Sequence, residues 1–349
     1  MIETFQQRIR EAAARRAPLR LRGGGTKDFY GNALQGDVLD TRSYAGIVTY
    51  EPTELVVTAR CGTRLSELES QLERNHQCLP FEPPHFGADA TIGGCVAAGL
   101  SGPRRASAGA LRDFVLGVKL VDGRGQALGF GGQVMKNVAG YDLSRLVAGS
   151  LGTLGLIAEV SLKVLPVPSE ETTLRLEAPQ ARALEQMNRW AGQPLPISAT
   201  AWRDGELIVR LSGSATAVRA AAAGIGGEAI DGAFWHGVRE HTDGFFAGDE
   251  PLWRLSLPST TSPLELDGRQ LIEWNGGLRW LKSRIGADAL RDVVRRVKGH
   301  ATLFRAADKS AGCFAPLDPV LERLHRQLKA AFDPAGIFNP GRMAAGARL

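Results

Sequence analysis

Along residues 1–16 the apolar positions fall at helical spacing, with Ile2, Phe5 and Ile9 on one stripe, and Pro18 closes the run. The pattern predicts an amphipathic helix whose Arg15-Arg16 pair faces solvent, then a short strand through Leu19 and Leu21. Apolar runs at 47–50 and 55–60 predict two strands, and Leu65, Leu68 and Leu72 predict the buried stripe of a helix from Thr63. Val115–Val121 reads as a strand, and the Asp122-Gly123 that follows favours a tight hairpin turn. A further alternating strand runs through Val160, Leu162 and Val164.

After Pro166 and Pro168 the pattern changes, and all six tryptophans fall between Trp190 and Trp280. Residues 172–177, 197–202 and 207–211 read as strands and 180–190 and 215–223 as helices, with further strands near Trp253 and Leu271. That order predicts an antiparallel sheet with helices on one face, its tryptophans serving mainly as core. A basic helix over 289–298 (Arg291, Arg295, Arg296, Lys298) reads as surface, with docking of a partner as the alternative. Asp318 and Pro319 suit the N-cap and first turn of a last helix, with Leu321, Leu324 and Leu328 expected to face inward. The chain is thus α+β, divided as 1–168, 169–312 and a segment 313–349 that returns to the first domain.

Three stretches drop their side-chain bulk. In Arg22-Gly23-Gly24-Gly25-Thr26-Lys27-Asp28, backbone amides at positive φ could curl around an anion, with Arg22 and Lys27 flanking and Thr26 adding a hydroxyl. A dinucleotide diphosphate suits that loop, although glycine clusters also make plain surface turns. Neither G-x-G-x-x-G opening a helix nor G-x-x-x-x-G-K-[ST] is present, so the Rossmann and P-loop readings fail. Glu82-Pro83 and then Thr91-Ile92-Gly93-Gly94-Cys95-Val96-Ala97-Ala98-Gly99 offer a small-residue backbone that could lie flat against a planar ligand. Gly140-Tyr141-Asp142-Leu143 leads into Gly149-Ser150-Leu151-Gly152-Thr153-Leu154-Gly155-Leu156-Ile157.

In these motifs, and in the tail Phe332-Asp333-Pro334-Ala335-Gly336-Ile337-Phe338-Asn339-Pro340-Gly341-Arg342, the chain resembles the PCMH-type (vanillyl-alcohol-oxidase-like) FAD oxidoreductases. Through residues 132–160 and Trp253-Arg254-Leu255-Ser256-Leu257-Pro258 it is similar to the smaller flavin-binding subunits of bacterial glycolate oxidases within that family. The resemblance implies a two-subdomain PCMH-type FAD-binding domain and an antiparallel-sheet cap over the flavin. It implies FAD contacts from Arg22, Gly23, Gly24, Gly25, Thr26 and Lys27, from Pro83, Thr91, Ile92, Gly93 and Gly94, and from Gly152, Thr153, Gly155 and Ile157. Gly109 and Asp113 match a fourth contact segment, although Ala108 and Leu111 stand where that motif has a tyrosine and a hydroxyl. No histidine follows Gly24, where relatives with covalent flavin carry one, so noncovalent FAD is expected. A 2-hydroxy acid such as glycolate, a larger FAD-binding catalytic subunit and an iron–sulfur subunit complete what the resemblance implies.

Composition narrows the picture. At 349 residues and 44% hydrophobic the chain can bury a sizeable core. It has no run of about 18–20 apolar residues, and Glu3 and Glu11 interrupt any secretory pattern, so the cytoplasm is expected, with contact at the inner membrane only through partners. The four cysteines, Cys61, Cys78, Cys95 and Cys313, lack C-x-x-C spacing, so no metal or cluster is expected. Net charge +5 is scattered among acids, which argues against nucleic acid and suits attraction of small carboxylates. The H-x-x-H and H-G-D-G-N arrangements of the family's catalytic subunits are absent, and His236 and His241 read as structural or exposed. No catalytic residue is therefore assigned, with Arg254 and Lys282 the groups a cap could use. Three readings stay open: an FAD-binding subunit of a glycolate oxidase complex, a self-sufficient FAD oxidoreductase of another substrate, and a nucleotide-binding scaffold without catalysis.

Overall fold

Two antiparallel sheets organise the chain in a computed structural model that describes residues 1–132 and 142–344. Gly140 and Tyr141 of the third small-residue motif lie outside the described residues. In the first sheet the strands run in the order Ile47–Glu51, Val56–Arg60, Leu156–Lys163, Val115–Val121, Ala127–Gly131. Its central strands are apolar on both faces because both are covered. The helix Leu65–Glu73 buries Leu65, Leu68 and Leu72 with Val57, Leu120 and Leu162 on one side. On the other, the helix Ile2–Arg15 inserts Phe5, Ile9 and Ala12 beside Leu156, Ala158 and the C-terminal Ile337 and Phe338.

The second sheet has eight antiparallel strands, ordered Glu228–Ile230, Glu170–Glu177, Glu206–Gly213, Ile197–Arg203, Arg269–Glu273, Leu278–Lys282, Leu252–Ser256, His300–Arg305. Strand alternation gives it two faces. Trp253, Leu255, Leu281 and Leu303 meet Leu290 and Val294 of the helix Ala287–Arg296, while Leu207, Val209 and Leu211 pack with the helices Gln180–Ala191 and Ala215–Ile225. The alternate residues Leu252, Leu271, Leu278, Trp280 and Phe304 turn the other way, onto Tyr30, Ala98 and Leu100 from the first half of the chain. A seam between the halves results, and its tryptophans, Trp274 and Trp280, stand at an interface as well as in a core.

Three expectations need correction. The hairpin Val115–Val121 to Ala127–Gly131 turns through five residues, because Asp122 accepts from the amides of Arg124 (2.9 Å) and Gln126 (2.8 Å) and the positive φ falls at Gly125. The small-residue run after Thr91 is a helix, Ile92–Ala98, whose first turn Thr91 caps by accepting from Gly94 N. In the last helix, Pro319–Phe332, Leu321 and Leu324 face solvent; the inward residues are Leu328, Lys329 and Phe332. Among the described residues no helix is long and apolar enough to cross a membrane.

Lys329 and Asp333 form a buried ion pair (2.7 Å) that ties this helix down. Lys329 also donates to Thr153 O (2.7 Å) and Phe338 O (2.8 Å), and Asp333 accepts from the amides of Ile337 and Phe338. Asp333→Ala should cost about 3–5 kcal/mol of unfolding free energy by stranding a buried ammonium. Pairing it with Lys329→Met should recover part of that loss, and urea titration of the three variants checks both.

Candidate functional site

The strand Leu19–Arg22 runs straight into the triglycine, and close approach of a second loop dictates its composition. A Cβ on Gly24 would lie 1.6 Å from Asp89 O, and one on Gly23 would lie 2.2 Å from Thr91 Oγ1. Only Gly25 has positive φ (73°), so the expected left-handed run is confined to one residue; the other two glycines are required by contact. The flanking charges are also placed differently from expectation. Arg22 donates to Asp28 (2.9 Å), which Arg20 also reaches, while Lys27 turns its ammonium to His85 O (3.1 Å) and the Phe86 ring. Burial lowers the Lys27 pKa.

A trough opens beside this loop. Its outer part, about 540 Å³, is lined by Arg22, Gly23, Gly24, Gly25, Thr26, Lys27, Thr91 and Gly94. An inner part, about 380 Å³, shares Arg22, Gly23 and Gly94 and adds Gly93, Gly152, Gly155 and Ile157. Twelve of the residues singled out in the sequence therefore meet in one elongated cleft. The other five lie elsewhere. Ile92 and Pro83 are buried, and Thr153 donates to Ser150 O (2.7 Å). Gly109 packs on Asp113, whose carboxylate accepts from Ala110 N (2.9 Å).

The structure adds residues that spacing did not assign. Asn339 accepts from Leu21 N (2.9 Å) and donates to Leu151 O (2.7 Å), and a Cβ on Gly152 would crowd its amide at 2.8 Å. Arg342 donates to the carbonyls of Asp28 (2.9 Å), Lys27 (3.4 Å), Tyr30 and Asn32. Both line the trough, together with Thr41 and Cys61, and the Asn-Pro-Gly-Arg tail was their only sequence signal.

A narrow crevice at the seam holds a second group of polar side chains. Arg254, Glu273 and His241 line it with Ser101, Phe86 and Trp280. Burial pushes the Glu273 carboxyl up to about 7, although Trp280 Nε1 donates to it (2.7 Å) and Arg254 lies near. The Arg254 side chain makes no hydrogen bond or ion pair among the described residues and lies over the Trp274 ring at 5.3 Å. His241, expected to be structural or exposed, is half-buried and stacks on Phe246 at 3.8 Å; desolvation, with Arg305 and Arg254, lowers its pKa, and its Nδ1 has no partner among the described residues. Lys282 points elsewhere, to Ala247 O. Around the crevice, Glu82 accepts from Arg104 N (2.8 Å) and Arg210 (2.9 Å), and Glu240 accepts from the amides of His85 and Phe86. Among the described residues no three His, Cys, Asp or Glu side chains cluster as a metal site.

A glycine-walled trough closed by the chain's own tail, beside a cap built on an antiparallel sheet, defines an FAD-linked oxidoreductase. Sequence profiles agree: residues 2–131 match the FAD binding domain and residues 313–343 the C-terminal domain of FAD linked oxidases. The fold also matches alkyldihydroxyacetonephosphate synthase (TM-score 0.67, 16% identity, 96% of this chain and 74% of that one). The chain is 49% identical to glycolate oxidase subunit GlcE of Escherichia coli over 98% of its own length and 97% of the relative's, and it belongs to that FAD-binding family. It is also 34% identical to D-lactate dehydrogenase of Archaeoglobus fulgidus (46% of this chain, 36% of that one) and 33% identical to glycolate oxidase subunit GlcD of Bacillus subtilis (46% and 34%). FAD is its cofactor, and the trough fits it: its walls are backbone where side chains would block an extended dinucleotide.

Two outcomes follow from this geometry. Gly24→Ala should abolish retention of flavin, since even a methyl group collides with Asp89 O; flavin absorbance equal to wild type after gel filtration would show that the two loops separate freely. Glu273 titrates upward on folding, so between about pH 4.5 and 7 the folded chain holds a proton that the unfolded chain has released. Stability then falls as pH rises through that window, by about 3 kcal/mol in full. Glu273→Gln should flatten that slope, read as urea midpoints at pH 5 and pH 8; an unchanged difference between them would mean that Glu273 is ionised throughout.

Proposed function

We propose that this chain is the FAD-binding subunit of a glycolate oxidase (glycolate dehydrogenase) complex. In this reading the complex oxidises glycolate or a related 2-hydroxy acid to the 2-oxo acid and passes electrons on through a larger FAD-binding catalytic subunit and an iron–sulfur subunit. The likeness to the Escherichia coli subunit across both lengths carries the reading, and the trough supports it. Residues 1–168 form the FAD-binding domain, 169–312 the cap and 313–349 the returning segment. The assembly lies in the cytoplasm, with any attachment to the inner membrane made by partners.

Bound FAD supplies two-electron oxidation of an alcohol carbon. The backbone amides of Gly23, Gly24, Gly25 and Thr26 bind its pyrophosphate, Thr91, Gly93 and Gly94 follow the ribityl chain, and Gly152, Gly155 and Ile157 hold the inner end. Ile92 and Thr153 belong to these segments without lining the trough. Lys27 places a partly desolvated positive charge at the end of the loop that faces the seam. Binding is noncovalent.

One observation favours a second reading, a self-sufficient oxidoreductase. Arg254 has no ion-pair partner among the described residues and Glu273 is a carboxyl poised near neutrality, the pair that clamping a carboxylate and taking a hydroxyl proton require. An anaerobic single-turnover experiment separates the two. With FAD loaded, glycolate or D-lactate should leave the flavin of the isolated chain oxidised, and adding the partner subunits should allow bleaching. Rapid bleaching of the isolated chain would instead assign catalysis to the seam.

A further inference from the structure

The Phe86 side chain stands where the seam crevice meets solvent. Outside lies an open groove of about 820 Å³, walled in part by His236, Arg239, Glu240 and Arg305; inside is the crevice of about 320 Å³ that holds Arg254 and Glu273. Among the described residues, Phe86 and Arg239 line both. Arg239 is anchored, its Nε donating to Glu240 (2.8 Å). The Phe86 ring is half-buried and meets Phe29 (5.4 Å), His241 (5.0 Å) and Phe304 (6.2 Å) nearly edge-on, contacts that carry no hydrogen bond.

The Phe86 backbone, in contrast, is clamped. Its φ is 53°, a left-handed conformation that bulky residues rarely adopt, and Glu240 imposes it by accepting from the amides of His85 (3.1 Å) and Phe86 (2.8 Å). Strain of this kind persists only where its surroundings enforce it, and here it aims an aromatic ring across an opening. We propose that Phe86 is the gate of the seam crevice and that the outer groove is the entrance by which a small carboxylate reaches it. The ring turns about a fixed backbone, so no loop has to open. Charge selects the ligand. The Glu240 carboxylate is answered by Arg239 and two amides, whereas the side chains of Arg305 in the groove and Arg254 in the crevice make no hydrogen bond or ion pair among the described residues. Lys27 and Arg305 lie 5.6 and 5.9 Å from the centre of the Phe86 ring, so the threshold itself is positive and an anion is drawn across it. The proposal rests on the reading of the seam as a carboxylate site and does not require that oxidation take place in this chain.

The test follows oxalate, a small planar carboxylate, binding to the FAD-loaded full chain. Calorimetry gives the affinity, and exchange broadening of isotope-labelled oxalate gives the off-rate, for wild type, Phe86→Ala, Phe86→Leu, Arg305→Gln and Arg254→Gln. Removing the gate should raise the on- and off-rates together, at least about tenfold in Phe86→Ala and less in Phe86→Leu, with a smaller change in affinity. Melting temperature and flavin content are checked for each, and the leucine variant, which keeps most of the apolar contact, decides if the alanine variant unfolds. Arg305→Gln should slow association at low salt and much less at high salt, leaving the off-rate as it was. Wild-type rates in both Phe86 variants would overturn the gate while leaving the carboxylate site. A loss of affinity carried by the off-rate alone would also overturn it, by making the ring a wall of the site. No binding of oxalate by wild type, or binding undiminished in Arg254→Gln, would remove the carboxylate site and the gate with it. Copurification with the partner subunits, measured separately, judges the subunit reading on its own.

Discussion

The Arg342 guanidinium gathers the carbonyls of Lys27, Asp28, Tyr30 and Asn32 into one cluster, and the shape of the cofactor trough follows from that contact. Carbonyl dipoles pointed at a common centre repel one another unless a cation sits there, and a planar fork of donors satisfies several at once. Asn339 extends the same device by bridging Leu21 N to Leu151 O, which joins the strand before the triglycine to the turn before Gly152. The Lys329 to Asp333 pair fixes the approach of this tail, so the cradle is assembled from residues as much as 318 positions apart. The cofactor site and the end of the chain are one cooperative unit.

The seam obeys a different constraint. Because the cap sheet turns alternate residues toward the first half of the chain, Arg254, Glu273 and Trp280 are carried to the seam by the same periodicity that buries Trp253 and Leu281 on the helical side. Glu82 and Glu240 secure the joint by accepting amides and guanidinium groups across it. Their charges are answered, whereas Arg254 lacks an ion pair among the described residues and Glu273 is pushed toward its neutral form by burial. A buried polar group left in that condition lowers stability, which is why such groups are expected where binding or chemistry gives something in return.

The two sheets, most helices and the glycine segments of the trough were legible in the sequence, each for a local reason. Leu65, Leu68 and Leu72 announce a helix because the period is fixed by the backbone, and 197–202 and 207–211 announce strands in the same way. The run from Thr91 to Gly99 was misread because small residues carry almost no periodic signal, and the Thr91 cap alone marked its start. Leu321 and Leu324 were misread for the opposite reason: their spacing is a strong helical signal, but a stripe says nothing about which surface covers it.

The sequence by itself determined the α+β class, the order of elements, the family, and the backbone-walled segments that FAD requires. Only the tertiary structure decided why Gly24 must be glycine, where Lys27 sends its charge, which arginine of the cap lines the seam, and that Asn339 and Arg342 close the trough. The reason is range. Helix and strand periods are set by bonds among residues a few positions apart and are therefore written in short windows of sequence. The worth of a charge or a missing Cβ depends on what lies against it, here Asp89 O against Gly24 and a carbonyl cluster against Arg342, and folding alone brings those groups together.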